Sequence, residues 1–153
     1  MSKLELKIPP VVVWIATGLL MWVGARLANN LGISWPHRQG IALGLICVAT
    51  VIAALGGIAF RRAGTTVNPL HPENASDLVV GGIYRLTRNP MYLGMLLMLV
   101  GWAIWLGNVV PWLLLPGFVA YMNRFQIIPE ERALTSMFGK EFALYRARVR
   151  RWL

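Results

Sequence analysis

MYLGMLLMLVGWAIWLGNVVPWLLLPGFVAYMNRF, residues 91–125, decides the fold: two apolar runs, 91–107 and 109–125, meet at Gly107 and Asn108. Neither run contains Asp, Glu, Lys or Arg before Arg124, so a helical hairpin buried in apolar surroundings is predicted. At about 1.5 Å per residue, each run reaches roughly 26 Å, short for a bilayer span but enough for a thin or partly buried hairpin. Pro111 and Pro116 are expected to be tolerated by kinking. Gly94 and Gly101 lie close to one helix face and allow a neighbouring helix to approach.

Upstream, two more apolar runs cover about 11–27 and 40–60, the second closed by Arg61 and Arg62. The first is longer than the core of a signal peptide, and no small-residue cleavage site follows it, so an uncleaved membrane helix is expected. The composition agrees: 57% of the 153 residues are hydrophobic and 14% charged, against about 25% charged for a soluble domain. The expected fold is therefore all-α. It is a polytopic membrane protein with four transmembrane helices, forming a single membrane domain with a loop at 61–90.

Charge orients the helices. Of 15 basic residues, 13 fall on one side of a four-span arrangement, namely Lys3, Lys7, Arg61, Arg62, Arg85, Arg88, Arg124, Arg132, Lys140, Arg146, Arg148, Arg150 and Arg151. Only Arg26 and Arg38 fall on the other, which predicts cytoplasmic termini and a cytoplasmic loop. The net charge of +9 is thereby explained without nucleic acid, since the basic residues flank apolar segments and form no stripe interleaved with base-stacking aromatics. Membrane lipids are the expected surroundings, and the oligomeric state is left open.

The chemistry concentrates in residues 81–94, GGIYRLTRNPMYLG. Gly81 and Gly82 permit positive φ, and Tyr84 and Tyr92 supply hydroxyl-tipped aromatic walls. Arg85 and Arg88 supply fixed charge, Pro90 opens a helix, and Asn89 takes the N-cap position. The plainer reading is a membrane-helix boundary. A second amphipathic stretch begins at Pro129, with Glu130 and Glu131 in its first turn. Leu134, Phe138, Phe142, Tyr145, Val149 and Trp152 form its apolar stripe, so an interfacial helix over 129–152 is expected. His71 precedes a proline with no second ligand at metal-binding spacing, and no metal site is expected; Cys47 reads as a packed residue.

Taken together, Gly82-Ile83-Tyr84, Arg88-Asn89-Pro90-Met91-Tyr92-Leu93-Gly94, Glu130-Glu131, Phe138-Gly139 and Tyr145 with Val149 and Arg151 form a pattern. It resembles the isoprenylcysteine carboxyl methyltransferase and phospholipid methyltransferase superfamily of integral membrane enzymes. The Arg-Asn-Pro variant is associated with bacterial members, for which an inner-membrane location is expected. The resemblance implies an enzyme that transfers a methyl group from S-adenosylmethionine. The implied acceptor is lipophilic: an isoprenylcysteine-like carboxylate, a thiol or a phospholipid amine. Tyr84, Asn89, Pro90, Tyr92 and Glu130 are the implied cofactor-binding residues, Arg88 and Glu131 the catalytic pair, with Glu131 as base for an amine acceptor. Arg151 is the implied substrate-binding residue. Two other readings are a small non-enzymatic exporter and a sterol-reductase-like NADPH enzyme. The exporter needs a membrane-embedded carboxylate, and the four runs contain none.

Overall fold

Prolines mark the starts of three of the five α-helices in a computed structural model that describes residues 5–64, 70 and 76–153. In chain order these helices are α1 (Pro10–Leu27), α2 (Arg38–Arg62), α3 (Pro90–Leu106), α4 (Val110–Met122) and α5 (Ile128–Arg148). A proline near a helix start loses no hydrogen bond, because its missing N–H would be unpaired there anyway. Among the described residues the protein is all-helical, as expected. Lys3 and His71 lie outside the described residues.

α3 is apolar all round and forms the centre of the bundle. Its two glycines lie against α2: a Cβ on Gly94 would sit 2.7 Å from the Ala49 carbonyl oxygen, and one on Gly101 2.7 Å from Ile46. α1 is joined to α3 by indoles. Trp14 Nε1 donates to the Met95 carbonyl and Trp102 Nε1 to the Gly18 carbonyl, both at 3.1 Å. Met21, Leu99, Ala103, Phe118 and Met122 fill the space between α1, α3 and α4.

The outside is as apolar as the inside. Leu19 and Leu20 of α1 are each 59% exposed, and Leu43 and Val51 of α2 are each 57% exposed, a surface suited to lipid rather than water. α1 and α2 are long and apolar enough to cross a membrane, whereas α3 has 17 residues and α4 only 13. Cys47, expected to be packed, is exposed on α2.

The hairpin turns where predicted. Gly107 has φ +58°, and a Cβ there would collide with the Arg38 guanidinium. The Ile33 amide donates to the Gly107 carbonyl at 2.7 Å, and Asn108 Nδ2 to the Ala28 carbonyl at 2.7 Å, closing this end against the α1–α2 connection.

The second half departs from the expected separate helix. α4 runs through one π-helical segment, Asn123–Ile127, directly into α5, so Pro129 lies inside a continuing helix rather than opening a new one. Gly139 kinks α5 with φ 43° and ψ −111°. α5 ends at Arg148, and residues 149–153 fold back as a non-helical tail, so Val149 and Trp152 lie off the helix. The expected stripe still marks the covered side. Phe142 is buried, and Leu134, Phe138 and Tyr145 are half-buried among exposed neighbours.

Candidate functional site

Three separate stretches meet at the end of the bundle opposite the Gly107 turn: residues 82–92, the first turn of α5, and the tail after α5. The first stretch opens with a short 3₁₀ turn, Gly82–Arg85, made possible by Gly82 at φ +59°; Gly81, at φ −95°, needs no such freedom. The turn buries Tyr84, whose ring meets Phe60 edge to face at 5.5 Å. It then delivers Thr87, Arg88 and Asn89 to the mouth of α3.

The tail binds these three residues through its backbone. The Arg88 amide donates to the Arg150 carbonyl at 3.0 Å. The Arg151 carbonyl accepts from Thr87 Oγ1 at 3.3 Å and from Asn89 Nδ2 at 2.9 Å. Asn89 therefore occupies the N-cap position without capping. Its side chain reaches the tail, and the α3 N-terminus has no side-chain cap. Thr87, 1% exposed, also accepts from the Asn89 amide at 3.2 Å, and Trp152 Nε1 donates to Asn123 Oδ1 at 3.1 Å.

Two carboxylates face this assembly and their surroundings differ. Glu131 is held on both oxygens by guanidiniums. Arg88 Nη2 donates to Oε1 at 2.8 Å, while Arg151 donates from Nη2 to Oε2 at 2.7 Å and from Nε to Oε1 at 3.1 Å. Arg88 also reaches the Arg146 carbonyl at 3.3 Å, and its Nε is buried with no partner among the described residues. Burial lowers the Arg88 pKa from its ordinary value, Glu131 opposes that shift, and Arg151 and Arg146 add to it.

Glu130 points instead to Tyr92, whose hydroxyl donates to its Oε1. Burial pushes its pKa up from 4.5 to about 8; the tyrosine hydrogen bond resists this and the neighbouring Glu131 charge adds to it. Glu130 is thus mostly protonated at neutral pH while Glu131 makes the ion pairs. Adjacent carboxyls with such different environments divide into a proton-holding group and a charge-pairing group. Tyr145 OH donates to the Tyr84 carbonyl at 2.7 Å, and burial pushes its pKa up to about 12.

The structure therefore brings Arg88, Asn89, Tyr92, Glu130, Glu131 and Arg151 together at the start of α3, with Pro90 buried as the first residue of that helix. Tyr84 stands behind them, buried and in contact through Tyr145 rather than as an open wall. Sequence reasoning missed Thr87 and the backbone carbonyls of 146, 150 and 151. A threonine between arginines carries no distinctive pattern, and carbonyls carry none at all.

An all-helical bundle with an apolar exterior and a basic, carboxyl-containing site at one end is the class that fold and site define. The phospholipid methyltransferase family model matches residues 38–141, and the chain belongs to that family. The match spans α2, α3 and α4 and ends at Glu141, inside α5. Among curated relatives, the chain is 33% identical over 114 residues to protein-S-isoprenylcysteine O-methyltransferase A of Arabidopsis thaliana, covering 72% of this chain and 55% of that one. It is 29% identical over 143 residues to protein-S-isoprenylcysteine O-methyltransferase of Rattus norvegicus, covering 89% and 49%. An uncharacterized protein of Haemophilus influenzae is 49% identical over 63 residues, 41% of this chain and all of that one. The chain thus spans about half the length of the isoprenylcysteine methyltransferases it matches. No solved structure matches it significantly.

Proposed function

We propose that this protein is an integral membrane methyltransferase that uses S-adenosylmethionine on the cytoplasmic side and methylates a lipophilic acceptor. The acceptor classes are an isoprenylcysteine-like carboxylate, a thiol or a phospholipid amine. The observation that carries the reading is the convergence of two motifs some forty residues apart, with Arg88 on Glu131 and Tyr92 on Glu130. Family membership and the names of the relatives support the chemistry.

The donor set fits the cofactor. S-adenosylmethionine carries ribose hydroxyls, an ammonium and a sulfonium that want an acceptor or negative charge, and a carboxylate that wants a guanidinium. Glu130 is a buried carboxyl that accepts from the Tyr92 hydroxyl, and Asn89 adds a side-chain amide at the start of α3. When bound, the cofactor supplies an electrophilic methyl group on a sulfonium. Glu130, Tyr92 and Asn89 are assigned to hold it, with Tyr84 and Pro90 shaping the wall behind them.

Arg88 is assigned to the acceptor, where its planar fork suits a carboxylate or phosphate. Glu131 was expected to act as a base for an amine. Three of its roughly four lone-pair sites already accept from arginines, so its proposed part is to hold Arg88 and Arg151 in place. Methyl transfer gains chiefly from alignment and water exclusion, so a thiolate or carboxylate acceptor requires no base once ionised. The four apolar helical runs are assigned as four spans with both termini inside, in a bacterial inner membrane, with α5 along the cytoplasmic interface. The 13-to-2 division of basic residues supports that orientation.

Calorimetry of the purified protein with S-adenosylmethionine and, separately, with NADPH tests the reading. Saturable binding of the first and none of the second is expected, followed by transfer of labelled methyl to a lipid extract. Binding of NADPH alone would replace the proposal with a reductase.

A further inference from the structure

The residues ahead of α1 are anchored to the far half of the molecule. Glu5 turns inward, its side chain 4% exposed, and gives one carboxylate oxygen to Arg124 Nη1 and the other to Arg132 Nη2, each at 2.7 Å. Both arginines are about half exposed, so the acid is the buried partner and the bases reach in to it. The Leu6 amide donates to the Phe125 carbonyl at 3.0 Å. Leu6 does so at φ 55°, a region leucine seldom occupies, so the contact is held against a local backbone cost. Ile8 completes the set, its carbonyl accepting from Nε2 of the fully buried Gln126 at 2.6 Å.

Every one of these contacts lands on residues 124–132, across the π-helical segment and the first turn of α5. A π-turn holds one residue more than an α-turn, and that residue rotates whatever follows by about 100°. Glu130 and Glu131 follow at once. If this segment relaxed to α-helical spacing, Glu130 would swing away from Tyr92, and Glu131 away from Arg88 and Arg151. π-Helical turns are rare and occur mostly as single turns inserted in α-helices, so contacts from outside the helix help to keep one in register. Residues 5–8 supply it from the opposite end of the chain, and they lie outside residues 38–141, the part shared with the family model.

We propose that residues 5–8 form a strap that locks the π-turn in register, and that Glu5 is thereby a positioning residue for the Glu130–Tyr92 and Glu131–Arg88 contacts. The inference rests on the reading that these contacts build the cofactor and acceptor site. Glu5 touches neither ligand; it acts through Arg124, Arg132 and the turn between them.

The test uses the full chain in lipid nanodiscs, with Glu5→Ala and a charge-reversed triple variant, Glu5→Lys with Arg124→Glu and Arg132→Glu. Hydrogen exchange of the amides in 123–131 is read beside that of α3, and the Glu130 carboxyl is titrated through its infrared band. Glu5→Ala should speed exchange in 123–131 by about tenfold or more, the equivalent of one lost charge-assisted hydrogen bond, and leave α3 unchanged. The Glu130 titration should move down from about 8 as the carboxyl leaves its buried position, and affinity for S-adenosylmethionine should fall about tenfold. The triple variant should restore all three readouts. Unchanged exchange in 123–131 would overturn the strap. Faster exchange with an unmoved Glu130 titration would overturn the positioning role, and failure of the triple variant to restore protection would overturn the assigned ion pairs. If the unmutated protein binds no S-adenosylmethionine, the functional reading falls, and exchange with the infrared titration decides the strap alone.

Discussion

If Glu130 holds the cofactor as proposed, cofactor binding should release a proton, and Glu130 should be the residue that releases it. Its carboxyl titrates at about 8 rather than 4.5, so at pH 7 only about one molecule in eleven carries the charge. A bound cation favours the ionised form. The apparent affinity for S-adenosylmethionine should therefore rise about ninefold from pH 6 to 7 and about fivefold from pH 7 to 8, then level off, with about 0.9 proton released at pH 7. The assay is calorimetry in two buffers of different ionisation enthalpy, whose difference in heat counts the protons. The cofactor's own α-amino group titrates in the same range, so the quantity that matters is the difference from Glu130→Gln. That variant should lose the Glu130 share of the release and, above pH 8, bind more weakly by about 1.5–3 kcal/mol. The ligand-free protein gives an independent check with its own sign. A pKa raised in the folded state favours folding below about 4.5, and that contribution is lost as the pH climbs towards 8; Glu130→Gln should flatten this slope in thermal unfolding. Equal proton counts for both proteins would refute the reasoning.

Four further outcomes are expected. Glu131→Gln leaves Arg88 and Arg151 without their carboxylate and should cost about 3 kcal/mol in thermal unfolding, since Arg88 is only 10% exposed; a loss below about 1 kcal/mol would show that the pairs contribute little. Arg88→Lys should retain cofactor affinity in calorimetry but depress methyl transfer, because lysine lacks the planar fork; a large loss of affinity would move Arg88 to the cofactor side. Gly94→Ala places a methyl 2.7 Å from the Ala49 carbonyl and Ala53 Cβ and should destabilise by about 1–3 kcal/mol, whereas Gly117→Ala, with nothing within 4 Å, should be neutral or stabilising. With Cys47 replaced by serine, a cysteine at position 76 should react with an impermeant reagent only from the cytoplasmic side of membrane vesicles; labelling from the other side would invert the topology.

Much of the bundle was legible because apolar runs and prolines report local physics. Pro10 and Pro90 begin α1 and α3, Gly107 turns the hairpin, and Gly94 and Gly101 mark the close approach to α2. The π-turn at Asn123–Ile127 was not legible. Pro129 looks like a helix start in sequence, whereas the helix runs on through it, and the Glu5 contacts that meet this segment come from more than a hundred residues away. The site residues were visible as residue types, yet their partners were not. Asn89 reads as a cap until the Arg151 carbonyl arrives to take its side chain, and a returning tail cannot be told from one more helical turn by the spacing of Val149 and Trp152. Glu130 and Glu131 look equivalent in sequence, and the 100° between neighbouring helix positions alone sends one to Tyr92 and the other to two arginines.

The tail's grip on Thr87, Arg88 and Asn89 also sets an order of assembly. The Arg150 and Arg151 carbonyls that hold these residues are synthesised some sixty residues later than the groups they bind. While α3 and α4 form, Arg88 has neither Glu131 nor the tail, and Asn89 is free to cap α3 through its own side chain. The nascent protein can therefore be a helical bundle without a formed site, and folding of the bundle and completion of the site become separate events, the second timed by the emergence of residues 131–151 from the ribosome.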